Sequence, residues 1–256
     1  MPPKKQTLLL ALSGPSSSGK TTLARLLHRS IFPPSTTLLL HLDDFYLPES
    51  QLPQRAGLVD WDSAGALDLV ALESTLQHIR MHGSLPPTFV SKEDSNAVWA
   101  VSIPSETISA LAVSTREWWT AGRIGEYVSQ IVIVDGFLLL GKSIPQVREL
   151  FDVRVLLRAG FAEAKMRREA RSGYVTLEGW WEDPPGYVEK VVWPGFVEEH
   201  AFLFTGGDVE GDVDEKAVRT LGIEVAPKGG LEGMLSWVVD IVRQGVERTI
   251  DGEGSG

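Results

Sequence analysis

The sequence predicts an α/β fold: a doubly wound parallel sheet of about five strands, flanked by helices and carrying a small lid. Three observations predict it. Short apolar runs at residues 8–12, 38–42, 131–134 and 153–157 alternate with helical periodicities, as strands buried on both faces do. The first run leads directly into Gly14-Pro15-Ser16-Ser17-Ser18-Gly19-Lys20-Thr21, which fits G-x-x-x-x-G-K-[ST]. Two other runs end in acids, at Asp43-Asp44 and Asp135, and ligands of doubly wound sheets gather at such strand ends.

Residues 8–12 (Leu-Leu-Leu-Ala-Leu) form the first strand, after a disordered end over residues 1–6. The loop that follows has the chemistry of a phosphate cradle. A helix N-terminus offers free N–H groups and partial positive charge. Gly14 and Gly19 let the backbone wrap a phosphate that a side chain would block, and Ser16, Ser17, Ser18 and Thr22 complete the nucleotide-binding set. Lys20 is expected to reach the β- and γ-phosphates, and the Thr21 hydroxyl to ligate Mg²⁺. A Gly/Ser-rich turn fits the same letters. It does not account for the strand before the loop, or for the helix after it with Leu23, Leu26, Leu27 and Ile31 on one face.

Pro33-Pro34 ends that helix. Residues 38–42 form the second strand, and Asp43 at its end faces the same crevice as the loop. Asp is also common in turns at strand ends, but Asp43 shares an edge with the loop and is the candidate for function. Residues 47–60 read as an irregular loop. Leu69, Leu72, Leu76 and Ile79 mark a helix, for which Asp62 or Ser63 also fits as the N-cap. The span 83–128 reads as an insertion: a polar loop to about Ser95, a strand over 97–103 and a helix over 105–119 capped by Ser105.

Residues 131–134 (Ile-Val-Ile-Val) are the clearest strand, and Asp135 at its end is expected to hold or orient Mg²⁺ beside Thr21. Residues 153–157 add another strand. A helix over 161–171 carries Lys165, Arg167, Arg168 and Arg171. In an acidic chain with a phosphate loop, these read as an arginine-bearing lid over a triphosphate, about residues 167–195, as readily as a solvated face. Residues 221–226 form the last strand. Residues 231–248 form the closing helix, with Leu235, Val238, Val239, Val242 and Val246 inward, and 251–256 a disordered end.

The 256 residues, 43% hydrophobic and 23% charged, suit one globular α/β domain spanning the chain. A formal charge of −10 argues against nucleic-acid or anionic-membrane partners, so an anionic substrate needs a locally basic pocket. Without cysteine, disulfides and thiolate metal sites are excluded. No apolar run approaches the roughly 20 residues of a membrane helix, and no signal-peptide core precedes the first strand. The expectation is a cytoplasmic protein, the nucleus not excluded. The histidines, at 28, 41, 78, 82 and 200, show no metal spacing and read as structural or solvated.

Among phosphate-loop proteins, a guanine-specific switch is disfavoured, because it reads guanine with N-K-x-D and the single asparagine, Asn96, precedes Ala97. Motors and DNA-associated ATPases are longer or more basic. An acid after the second strand and an arginine lid fit a kinase of a small hydroxyl acceptor. A non-catalytic nucleotide-binding scaffold is the competitor from another class, although Lys20, Asp43 and Asp135 are all kept.

Several stretches narrow this further: residues 14–23, Leu42-Asp43-Asp44-Phe45-Tyr46-Leu47-Pro48-Glu49, Trp61-Asp62, Val134-Asp135-Gly136-Phe137-Leu138-Leu139, Asp183-Pro184-Pro185-Gly186-Tyr187 and Val192-Trp193-Pro194. Together they resemble the nicotinamide riboside kinases, within the uridine kinase and phosphoribulokinase group of P-loop kinases. The resemblance implies ATP and Mg²⁺ as cofactors and a small nucleoside as substrate, with the oligomeric state, monomer or homodimer, left open. It implies Asp43 as catalytic base and Mg²⁺-linked acid, Trp61 stacking on a pyridine ring, Asp62 and Arg168 on ribose hydroxyls, and Tyr46 as the other wall of the base site. Arg171, with Arg167 beside it, matches a lid arginine facing phosphate, and Tyr174 a lid tyrosine near the base. Familiar relatives have Tyr in place of Trp61 and Glu in place of Asp135. Both swaps keep the chemistry. A kinase of uridine, cytidine or pantothenate is the alternative reading.

Overall fold

Five parallel strands run in the order β2-β5-β1-β6-β9: β1 (Gln6–Ser13), β2 (Thr37–His41), β5 (Val128–Gly136), β6 (Val153–Leu156) and β9 (Ile223–Val225). Two short hairpins stand outside this sheet, β3 (Gln54–Arg55) with β4 (Leu58–Val59), and β7 (Tyr174–Thr176) with β8 (Gly179–Trp181). The structure, a computed structural model, describes residues 5–91, 103–171, 173–176 and 179–253, the side chains of 174–176, 179, 180 and 253 excepted.

Side-chain alternation along β1 divides the core in two. Leu8, Leu10 and Leu12 enter the layer with α1 (Lys20–Leu26), α3 (Ser105–Ala121) and α8 (Leu231–Glu253). Leu9 and Ala11 enter the layer with α2 (Leu69–His82), α4 (Pro145–Arg148), α6 (Trp193–His200) and α7 (Glu215–Leu221). Helices cover both faces, so the strands read as continuous apolar runs. The chain winds from β2 and β5 on one side of β1 to β6 and β9 on the other. That reversal opens a crevice beyond the C-terminal end of β1.

Some elements differ from expectation. The N-cap of α2 is Asp68, whose carboxylate accepts from the Ala71 N–H at 2.9 Å; Asp62 and Ser63 lie upstream of it. Pro104, not Ser105, precedes α3, and no side chain caps that helix. The 47–60 stretch contains the β3–β4 hairpin. Leu221 ends α7, an element with no strong periodicity, and the last strand starts at Ile223. Gln6 already belongs to β1, and α8 continues through Asp251 to Glu253. The strand expected over 97–103 lies, except for Ile103, outside the described residues.

Much of the 83–128 span is a wall of the core. On α3, Trp118 donates its indole N–H to Glu247 at 2.9 Å, and Arg243 of α8 reaches the Ser114 and Thr115 hydroxyls at 2.8 Å. Among the described residues, no helix is long and apolar enough to cross a membrane.

Candidate active site

The loop between β1 and α1 is shaped by left-handed backbone. Gly14 has φ +150° and Gly19 has φ +94°. A Cβ would fall 2.7 Å from the Leu157 carbonyl oxygen at Gly14, and 2.7 Å from a Leu231 methyl at Gly19. Only glycine closes this turn without strain. The hydroxyls of Ser13, Ser17 and Ser18 are buried without a hydrogen-bond partner among the described residues. Buried polar atoms are normally paired, so an unfilled ring of hydroxyls beside a helix N-terminus fits an anionic ligand. Lys20 is 8% exposed and donates to the Pro15 carbonyl at 2.9 Å. Burial pulls its pKa down to about 8, against the opposing fields of Asp135 and Asp43.

Beside the loop, β2 and β5 place their C-terminal acids. The Thr21 hydroxyl donates to Asp135 Oδ2 at 2.5 Å, and His41 Nδ1 is hydrogen-bonded to Asp135 Oδ1. Burial raises the cost of charge on Asp135, but the bonds from His41 and Thr21 and the charge of Lys20 prevail and hold its pKa below the ordinary value. Asp43 sits exposed in the turn after β2, within electrostatic reach of both Lys20 and Tyr46.

A second group forms where the β3–β4 hairpin, α5 (Phe161–Glu169) and the β7–β8 hairpin converge. Arg168, 7% exposed, grips Asp62 with Nη1 to Oδ1 at 2.8 Å and Nη2 to Oδ2 at 3.1 Å. Its other edge grips Asp183, with Nε to Oδ2 at 2.6 Å and Nη2 to Oδ1 at 3.1 Å. Burial raises the Asp62 pKa, with Arg168 opposing it. Trp61 is 5% exposed, and its backbone N–H donates to the Tyr187 hydroxyl at 3.0 Å. Tyr46 meets Trp61 edge-on, with centroids 5.2 Å apart at 85°. The two rings are therefore not parallel walls with a gap between them, as a sandwich of Tyr46 and Trp61 requires. Burial, with the charges of Asp43 and Asp62, keeps the Tyr46 phenol protonated.

A shallow cleft is lined by Ser16 of the loop, Asp62, Phe137, Leu138, and Val192, Gly195 and Phe196 at the start of α6. Thr21 is hydrogen-bonded to Asp135, and Asp135 and Asp43 both act on Lys20, while Arg168 is hydrogen-bonded to the cleft residue Asp62. Arg167 reaches the Ser17 carbonyl at 3.4 Å while paired with Glu163 at 2.6 Å. Arg171 is close enough for its charge to bear on Lys20. Gly14, Ser16, Ser17, Ser18, Gly19 and Thr22 stand in the loop or at the start of α1. Tyr174 opens β7, and its side chain lies outside the described residues.

Sequence reasoning missed three contributors. His41, read as structural, is joined to Asp135, 94 residues away. Asp183 and Tyr187 stand in the Asp-Pro-Pro-Gly-Tyr stretch already singled out, which was the available signal. Nothing in spacing pairs them with Arg168 and Trp61.

Comparison with known proteins adds a family. No family model matches the chain. The chain is similar to the nicotinamide riboside kinase of Schizosaccharomyces pombe, 36% identical over 93% of this chain and 97% of that protein. The chain belongs to the nicotinamide riboside kinase family. It is also similar to the nicotinamide riboside kinase of Eremothecium gossypii, at 36% identity over 80% of each chain. The Saccharomyces cerevisiae nicotinamide riboside kinase is 32% identical over 85% of this chain and 87% of its own. The match to the Schizosaccharomyces pombe nicotinamide riboside kinase covers nearly the whole chain.

Proposed function

We propose that this chain transfers the γ-phosphoryl group of ATP to the 5′-hydroxyl of nicotinamide riboside, giving nicotinamide mononucleotide and ADP. The observation that supports the reading is a cleft lined by both Ser16 of the phosphate loop and Asp62. The family relatives supply the substrate class.

Gly14 to Thr22 cradle the phosphates, and Lys20 leaves the Pro15 carbonyl to pair with the transferred group. Oxygen donors suit a hard divalent cation, and Thr21, Asp135 and Asp43 are the side chains that would hold Mg²⁺ or its waters. Bound Mg²⁺ supplies neutralisation of charge on the phosphate oxygens. Asp62, with both oxygens fixed by Arg168, keeps lone pairs for the 2′- and 3′-hydroxyls. Arg168 first orients that acid. Asp43 accepts the 5′-hydroxyl proton late, because the transition state is loose and positioning dominates. Arg167 and Arg171 add positive charge over the phosphates from the lid side.

A coupled ADP-release assay with a panel of acceptors tests the reading. Nicotinamide riboside is expected to give the highest kcat/KM. A higher value for uridine, cytidine or pantothenate would replace the substrate, and no ADP release with any acceptor would leave a scaffold.

A further inference from the structure

Asp60 has no part in the chemistry above, yet it is 3% exposed and both of its carboxylate oxygens are engaged. Oδ1 accepts from the Asp62 backbone N–H at 2.9 Å, a buried bond. Oδ2 accepts from Arg55 Nε at 3.2 Å. The same guanidinium continues outward, and Arg55 Nη2 donates to Glu198 Oε2 at 3.0 Å. Glu198 stands on α6. One line of contacts therefore runs from the Asp62 main chain, through the β3–β4 hairpin, to α6.

The local backbone makes that line stiff. Ala56 (φ +51°) and Gly57 (φ +76°) form the two-residue turn of the hairpin, both left-handed, as a type I′ turn requires. Arg55 pairs with Leu58 beside the turn, and the Asp60 N–H donates to the Pro53 carbonyl at 2.8 Å, extending the pairing towards Asp62. Helix α6 also meets Asp62 directly. A Cβ at Gly195 would fall 3.0 Å from the Asp62 carbonyl oxygen, so the helix backbone lies against the Asp62 main chain. Gly195 and Glu198 are three residues apart and share a face of α6. That face touches Asp62 at Gly195 and reaches it again through Glu198, Arg55 and Asp60. Gly195 and Asp62 both line the cleft.

We propose that Asp60 is a positioning residue for the sugar end of the site: it fixes the Asp62 main chain, and the Arg55–Glu198 pair anchors that setting to α6. The proposal rests on the ribose-binding role given to Asp62 above. Two acids buried two residues apart are costly unless each has its own cation. Arg55 serves Asp60 and Arg168 serves Asp62, so neither acid competes for the other's partner. Arg168 fixes the Asp62 side chain, while Asp60 fixes its backbone. Without Asp60, the Asp62 N–H is a buried donor with no acceptor, and the loop gains by shifting to find one. A shift of about 1 Å in a group that positions substrate costs up to about 10²-fold in rate.

The test is steady-state kinetics on the full chain with nicotinamide riboside and ATP. Wild type is compared with Asp60→Ala, Asp60→Asn and Arg55→Gln, and each Asp60 variant is also made in an Asp62→Ala background. Asp60→Ala is expected to lower kcat/KM for the riboside about 10- to 100-fold, with its KM raised and KM for ATP near wild type. Asp60→Asn keeps an oxygen for the Asp62 N–H but turns a donor towards Arg55, so it should fall between the two. Arg55→Gln should cost no more than about 5-fold, the range of a partly exposed ion pair. Because Asp60 acts through Asp62, its variants should add little in the Asp62→Ala background. Riboside and ATP KM values that rise together overturn the proposal, as do losses that add fully in that background. Wild-type kinetics in Asp60→Asn overturn it even if the alanine variant does not fold. Wild type that phosphorylates uridine or cytidine but not nicotinamide riboside overturns the substrate reading instead, and the Asp60 comparison is then decided on that nucleoside.

Discussion

His41 and Asp135 stand side by side in register on neighbouring parallel strands, and the imidazole Nδ1 is hydrogen-bonded to the carboxylate. Thr21 holds the other oxygen at 2.5 Å, so the acid cannot turn. Removing such an outer partner typically costs 10- to 100-fold in metal affinity. His41→Ala is therefore expected to raise the Mg²⁺ concentration for half-maximal activity about 10-fold or more, with His41→Asn recovering part of the loss. A Mg²⁺ titration of kcat checks this, and an unchanged midpoint would remove His41 from the site.

Lys20 and Asp43 differ in when they act. Lys20 is expected to contact phosphate throughout, so Lys20→Ala should abolish turnover and weaken ATP binding. Asp43 is expected to act on the acceptor proton, so Asp43→Ala should lower kcat by at least ~10² with ATP affinity nearly intact. Calorimetry with ATP alongside kinetics separates the two patterns. Full activity in Asp43→Ala would end its assignment as the base.

Asp62, Arg168 and Asp183 behave as one unit. Asp62→Ala should raise KM for the riboside more than for ATP, and Asp183→Ala should do the same more weakly, by releasing Arg168 from one side. The double variant should be less than the sum of the singles, because both act through one guanidinium. Additive losses would show that Asp183 works independently.

His200 offers a stability signature of its own. It is fully buried at the end of α6, with Nδ1 hydrogen-bonded to the Phe196 carbonyl at 3.0 Å. Burial lowers its pKa to about 4. Between that value and the unfolded 6.5, the unfolded chain binds a proton that the folded chain refuses. Stability therefore falls as pH drops from about 6.5 towards 4, by on the order of 3 kcal/mol from this residue. Thermal midpoints measured across that window should decline less steeply in His200→Gln than in wild type. Parallel curves would contradict the assignment.

The sequence alone was enough for the sheet and the phosphate loop, because their signals are local. Apolar runs such as 8–12 are strands because helices bury both faces, and Gly14 and Gly19 are required by backbone sterics within a few residues. The acids Asp43 and Asp135 were legible because strand ends in a wound sheet share one edge. Short elements such as α7 and the β3–β4 hairpin were not, since a few residues carry too little periodicity. Only the tertiary structure decided which side chains meet across the chain. It paired His41 with Asp135, set Arg168 between Asp62 and Asp183, and laid Trp181 over Trp61. Those pairings span from 15 residues of chain, Arg168 to Asp183, to 120, Trp61 to Trp181, and depend on strand register and hairpin placement, which no local pattern encodes.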